Sequence, residues 1–237
     1  MKCMVDLETM GTNPDAAIVS IGAVLFDPLA DDDGLLPGEG RGQWYRRVAL
    51  ADAMAQGGQA DASTILWWVQ RTAAARGELV GRSESMLESL SSLGYWMRLH
   101  GVDEVWANGA DFDLPILAGA YRRASIAKPW EFRQQRCFRT LRALYPHAEI
   151  TVQSDEADTR HHALSDARWQ ARVAVAILRE MRMDQVYRQR AMLAAEAPAA
   201  GTACGMADIG SGARTIGTSV PGAVAAQVAV PSGTQGA

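Results

Sequence analysis

At 237 residues, 48% of them hydrophobic and 21% charged, the chain can bury one substantial core but is too short to favour several large domains. No stretch approaches the roughly 18 uninterrupted apolar residues of a membrane span, and Cys3, Cys137 and Cys204 are too few and too scattered for a disulfide framework or a paired zinc site. The net charge of −4 argues by itself against a polyanionic partner, because non-specific affinity for nucleic acid comes chiefly from cations meeting phosphates.

A local cluster of acids that bound divalent cations would reverse that sign where it matters. The remaining cations are nearly all arginine, the better phosphate fork. Met1 to Val5 runs straight into acidic residues rather than into a signal-peptide apolar region. A soluble, cytoplasmic protein with no membrane partner is expected.

Along the chain, residues 2–6 and 17–26 read as two β-strands, turned by Gly11, Asn13 and Pro14 into antiparallel neighbours. A loop rich in Asp and Gly leads to a third strand near Trp44–Val48, and residues 51–62 show no clear periodicity. Ser63 or Thr64 is suited to cap a helix through Val69. A second helix starts near Ser83, with Leu87, Leu90, Leu93 and Met97 on one stripe before Gly101. Residues 102–107 read as a buried strand, 113–124 as a helix that tolerates Pro115 in its first turn, and 130–135 as another strand. That strand–helix–strand order predicts a parallel crossover.

A small helix follows at 138–145, a polar loop at 147–160, and a long helix at 163–183 with Leu164, Ala167, Ala171, Ala174 and Leu178 spaced for burial. From Pro198 the composition collapses to Ala, Gly, Ser, Thr, Val and Pro, which reads as a flexible tail. The predicted organisation is an α/β domain over residues 1–190 and a low-complexity segment over 191–237.

Three islands carry the chemistry: Asp6-Leu7-Glu8-Thr9 at the end of the first strand, Asn108 to Asp113 after the fourth, and His161 to Asp166 opening the last helix. On a strand, Asp6 and Glu8 project to one face about 7 Å apart, and Asp113 and Asp166 fall in first helical turns, where anions are tolerated. Each island alone has a plain structural explanation as loop, cap or surface residue. Together, four carboxylates at neighbouring element ends would repel strongly in a partly desolvated cleft unless cations compensated them.

The pattern resembles the three exonuclease motifs of the DEDD superfamily in its histidine-bearing branch (DEDDh), which includes ribonuclease T and the proofreading subunit of bacterial DNA polymerase III. The carrying residues are Asp6-Leu7-Glu8-Thr9, the pair Phe112-Asp113, and His161 with four residues before Asp166. The longer strings Asp6 to Gly11, Thr64 to Trp68, Asn108 to Asp113 and His161 to Asp166 are similar to a narrower phage and bacterial group resembling the mycobacterial 3′-5′ exoribonuclease-like domain. The likeness covers about residues 2–185.

The resemblance implies a ribonuclease H-like fold, a mixed five-stranded sheet flanked by helices. It also implies that Asp6, Glu8, Asp113 and Asp166 hold two magnesium ions, replaceable by manganese, about 3.5–4 Å apart, with His161 as general base. The implied partner is the 3′ end of single-stranded nucleic acid, and homodimerisation stays open.

Expected substrate contacts are Thr9, Met10, Asn108 and Arg139, with Trp67 or Trp68 stacking a base. Adjacent helical residues point about 100° apart, so only one of the two tryptophans is expected to face the cleft. Asp111 is expected to cap a helix. The arginines at 122, 123, 133, 136, 139 and 142 are read either as a solvated face or as a track for the strand.

Two other functions compete. A ribonuclease H-type endonuclease would share the acids without needing the histidine, and a catalytically silent binding module would keep the fold without needing every catalytic position filled. RNA and DNA are not distinguished, since no residue announces a contact to the 2′-position.

Overall fold

β1 (Lys2–Thr9) pairs antiparallel with β2 (Ile18–Phe26), which pairs antiparallel with β3 (Gln43–Arg47). On its other side β1 pairs parallel with β4 (Glu104–Ala107), and β4 with β5 (Gln135–Cys137), giving the sheet order β3-β2-β1-β4-β5. This is a mixed five-stranded α/β sheet of ribonuclease H-like type. The computed structural model describes residues 1–30, 32–36, 38, 41–109, 111–146 and 161–196.

The helices are α1 (Leu50–Ala55), α2 (Ala62–Val69), α3 (Ala73–Arg76), α4 (Met86–Leu99), α5 (Asp113–Arg123), α6 (Phe138–Leu144) and α7 (Ala163–Glu196). Short 3-10 turns occupy Gly77–Leu79 and Phe132–Gln134. Side chains alternate across a strand, so β1 serves two cores. Cys3, Val5 and Leu7 pack with Met86, Leu90, Leu93, Leu114 and Leu117 of α4 and α5. Met4 packs with Val24, Phe26 and Trp106 under Phe138 and the alanines of α7. Covered on both faces, β2 is buried along its whole length.

α7 meets the sheet through Ala163, Ala167, Ala171 and Ala174, all fully buried, and small side chains let the backbones approach closely. Closest of all is Gly22: a Cβ there would lie 2.3 Å from the carbonyl carbon of Ala163. Glycine at the middle of β2 is therefore a requirement of the crossing. Gly22 is the β2 partner of Asp6, so the crossing sets the first turn of α7 over the acidic positions of β1.

Several local expectations change. β5 begins at Gln135 instead of Trp130, whose ring is buried edge-on to Tyr121. α4 starts after Ser85 in a capping box with Glu88, which turns Met86, Leu90, Leu93 and Met97 inward and leaves Leu87 exposed. Residues 50–55 form α1, and α2 begins after Asp61 without a side-chain cap. α7 runs on through residue 190 to Glu196. The expected loop at 147–160 and the tail from Pro198 lie outside the described residues. Among the described residues, no helix is long and apolar enough to cross a membrane.

Candidate active site

The carboxyl end of β1 and the amino ends of α5 and α7 meet at one place, the position at which open α/β sheets usually hold ligands. Asp6 and Glu8 stand on the α7 face of β1. Asp113 is the first residue of α5, and its Oδ1 accepts a hydrogen bond from the Leu7 backbone N–H at 3.2 Å. Asp166 sits in the first turn of α7. One ligand atom each from Glu8, His161 and Asp166 lie within 4.8 Å of one another.

Three of the four acids are held above their usual range. Desolvation, then the charges of Asp113, Glu8 and Asp166, push the Asp6 carboxyl well above its usual range, against a hydrogen bond from Gln170. Glu8 is pushed up to about 9 by burial and then by Asp166, Glu78 and Asp113. Burial raises Asp113 to about 7, opposed by backbone hydrogen bonds and by the Arg139 guanidinium. Acids held this far from their preferred ionised state are discharged either by protons or by a cation. An all-oxygen donor set is what a hard divalent ion takes, so these residues fit such an ion.

The adjacent histidines are sorted by the backbone. His161 adopts a left-handed conformation, φ 66°, and its N–H donates to Asp166 Oδ2 at 3.0 Å. Its ring joins the acids and meets Trp67 edge-on with centroids 4.7 Å apart. His162 instead stacks on Tyr45 and points its Nε2 at Glu78, 3.6 Å away.

The tryptophans divide as helical geometry requires. Trp68 is 1% exposed, and its Nε1 donates to the Thr9 carbonyl at 2.9 Å. It is a strut beneath β1, not a platform for a base, which corrects its place among the substrate contacts. Trp67 is partly exposed, lies against His161 and carries Arg71 over its ring at 4.6 Å.

Thr9 and Met10 are buried at the end of β1, the Thr9 hydroxyl donating to the Gly11 carbonyl. Arg139 donates to the Asn108 carbonyl at 2.8 Å, and the buried Oδ1 of Asn108 has no hydrogen-bond partner among the described residues. Of the six arginines considered, Arg139 is the one placed at the acids. Arg122 and Arg123 pair with Asp15, Arg136 pairs with Glu104, and Arg133 and Arg142 cover Phe132 and Phe138. Asp111 is exposed beside Arg139 and does not cap α5, which follows Phe112 without a side-chain cap.

The profile of the 3′-5′ exoribonuclease Rv2179c-like domain matches residues 1–178. The chain belongs to this family. It is also 28% identical over 132 residues to an exodeoxyribonuclease of Enterobacteria phage T4, a match covering 50% of this chain and 55% of that protein. The chain thus spans about half the length of that relative.

Two members of this site in the exoribonuclease-like chain escaped the sequence reading. Gln170, 3% exposed, donates its Nε2 to Asp6 Oδ1 at 2.6 Å. It lies one helical turn past Asp166, so the i, i+4 spacing was the available signal. Glu78 comes from a turn with no periodicity and no motif, and only its burial beside the histidines reveals it.

Proposed function

We propose that this protein is a magnesium-dependent 3′-to-5′ exonuclease that releases mononucleotides from the 3′ end of single-stranded RNA or DNA. The observation that carries the reading is the meeting of Glu8, Asp166 and His161 within 4.8 Å, beside Asp6 and Asp113, in a family described as 3′-5′ exoribonuclease-like. Asp6, Glu8, Asp113 and Asp166 would hold the divalent ions. When bound, such ions supply Lewis-acid stabilisation of a phosphoryl oxygen and lower the pKa of water, with manganese able to replace magnesium.

The chain's own residues supply the rest. Gln170 fixes the rotamer of Asp6 by taking one carboxylate oxygen, leaving the other for a ligand. Backbone N–H groups, that of Leu7 among them, hold the Asp113 carboxylate. The His161 imidazole, steadied by Trp67, accepts the proton of the attacking water as a general base. Trp67 offers the terminal base a partly exposed ring, and Arg139 offers the preceding phosphate a guanidinium held by the Asn108 carbonyl. Thr9 and Met10, at the strand end, close the space around the terminal sugar.

The histidine favours an exonuclease over a ribonuclease H-type endonuclease, and the filled acidic positions favour an enzyme over a silent binding module. The deciding experiment is digestion of 5′-labelled single-stranded RNA and DNA, with and without chelator, beside a circular single strand and a 3′-phosphorylated strand. Metal-dependent release of mononucleotides from free 3′-hydroxyl ends supports the reading. Rapid cutting of circles overturns it for an endonuclease, and retention of labelled strands without any cutting overturns it for a binding module.

A further inference from the structure

Glu78 is a carboxylate to which the reaction described above gives no task. It is 3% exposed, and a buried carboxylate costs several kcal/mol unless charges and hydrogen bonds compensate it. Its partners come from three other elements. Ser20 Oγ of β2 donates at 2.5 Å, and Tyr45 Oη of β3 reaches both carboxylate oxygens at 3.0 and 2.9 Å. Arg47 of β3 and His162 Nε2, at the entry to α7, each approach to 3.6 Å.

The segment this cluster grips contains a strained residue. A left-handed backbone at a residue other than glycine costs about 1–3 kcal/mol and persists only where the surroundings over-determine it. His161 is such a residue, with φ 66°. On one side Asp166 Oδ2 accepts its N–H. On the other, the next residue is held on three sides: the His162 ring lies parallel to Tyr45, centroids 4.7 Å apart and planes inclined by 20°, its Nδ1 faces the Ser165 N–H at 3.4 Å, and its Nε2 faces Glu78. Glu78 therefore holds both rings of the stack, one by its hydroxyl and one by its ring nitrogen.

We infer that Glu78 is a positioning residue for His161: by holding His162 against Tyr45 it fixes the strained turn that aims the His161 imidazole at Glu8 and Asp166. The inference rests on the exonuclease reading and extends it to a residue outside the four acids and His161. Its sequence neighbourhood carries no motif.

The test compares wild type, Glu78→Gln, Tyr45→Phe, His161→Ala and the double variant His161→Ala/Glu78→Gln. Single-turnover rates are measured on 5′-labelled single strands, and Mn²⁺ binding is followed by electron paramagnetic resonance. Misplacing a reacting group by about 1 Å can cost on the order of 10²-fold. Glu78→Gln is therefore expected to lower kcat by about ten- to a hundredfold, with KM and Mn²⁺ affinity near wild type. Tyr45→Phe, which keeps the stacked ring and removes only the hydroxyl held by Glu78, should show a smaller loss of the same kind, and it carries the test if Glu78→Gln does not fold.

Without the imidazole to aim, Glu78→Gln should change nothing further, so the double variant should match His161→Ala. Equal losses with and without His161, full activity in both Glu78→Gln and Tyr45→Phe, or a loss explained by weakened Mn²⁺ binding would each overturn the inference. A wild type that digests nothing overturns the exonuclease reading as well, whereas an active wild type with neutral variants overturns this inference alone.

Discussion

His161 and Asp166 are joined through the main chain: the histidine N–H donates to the aspartate Oδ2 across 3.0 Å. Its ring stands with the carboxylates of Glu8 and Asp166, where under the exonuclease reading it would take the proton of the attacking water. His161→Ala should therefore cost about 10²–10⁴-fold in rate, the usual worth of a general base, while metal affinity changes little. His162→Ala should cost less, about ten- to a hundredfold, because its ring only holds the turn that aims His161. Single-turnover digestion of an end-labelled strand ranks the two, and a more damaging His162→Ala would overturn the assignment of the base.

Asp6→Ala, Glu8→Ala, Asp113→Ala and Asp166→Ala should each nearly abolish turnover without unfolding the protein, since each removes a ligand while relieving repulsion. Turnover like that of wild type in any two of them, at saturating magnesium, would end the two-metal assignment.

The pH dependence follows from the direction of the shifts. Folding raises Glu8 to about 9 and Asp113 to about 7, against unfolded values of about 4, so the folded state binds more protons in between. Stability from these acids is fully present below about pH 4 and is lost as pH rises through 7 and 9. In chelator the protein should melt higher at pH 5.5 than at pH 8.5, with a smaller pH difference in Glu8→Gln. Magnesium should recover stability at pH 8.5, by about 2.7 kcal/mol at a hundred times its dissociation constant. A wild-type and Glu8→Gln pair with identical pH dependence in chelator would contradict this.

Trp67 and Trp68 should separate binding from stability. Trp68→Ala empties a fully buried site and removes a hydrogen bond to Thr9, so a loss of about 3–5 kcal/mol is expected in denaturant titrations. Trp67→Ala should keep stability near wild type and weaken strand binding by about 1–3 kcal/mol, the usual worth of a stacked base. Fluorescence anisotropy with a labelled strand in calcium measures the second, and unchanged affinity would remove Trp67 from the substrate surface.

Gly22→Ala tests the crossing of α7 over β2. Its Cβ would stand 2.3 Å from backbone at Ala163, and because backbone cannot swing aside as a flexible side chain does, a loss of about 1–3 kcal/mol or more is expected. For a domain of this size each kcal/mol corresponds to a fall of about 2–4 °C in Tm. Turnover should fall with it, since Asp166 and His161 ride on the displaced helix end. A variant with wild-type Tm and rate would show that the helix tolerates the methyl group.

The sequence by itself determined whatever is local or periodic. Alternation along β1 put Asp6 and Glu8 on one face, the β-branched run of residues 17–26 announced a strand beside it, and the motif spacing singled out the four acids and His161. Those signals survive in one dimension because a strand repeats every two residues and a helix every 3.6.

Tertiary structure decided what depends on contacts between distant segments. Whether Trp67 or Trp68 faces the acids was settled by how α2 packs under Thr9. The separation of His161 from His162 came from a left-handed turn held by Asp166, Tyr45 and Glu78. Glu78 itself stands 70 residues from Glu8 in the chain and reaches the same site because a short turn after α3 packs over β2 and β3. No periodicity encodes such a meeting, since it is set by which buried charges can satisfy one another once the sheet and α7 have closed.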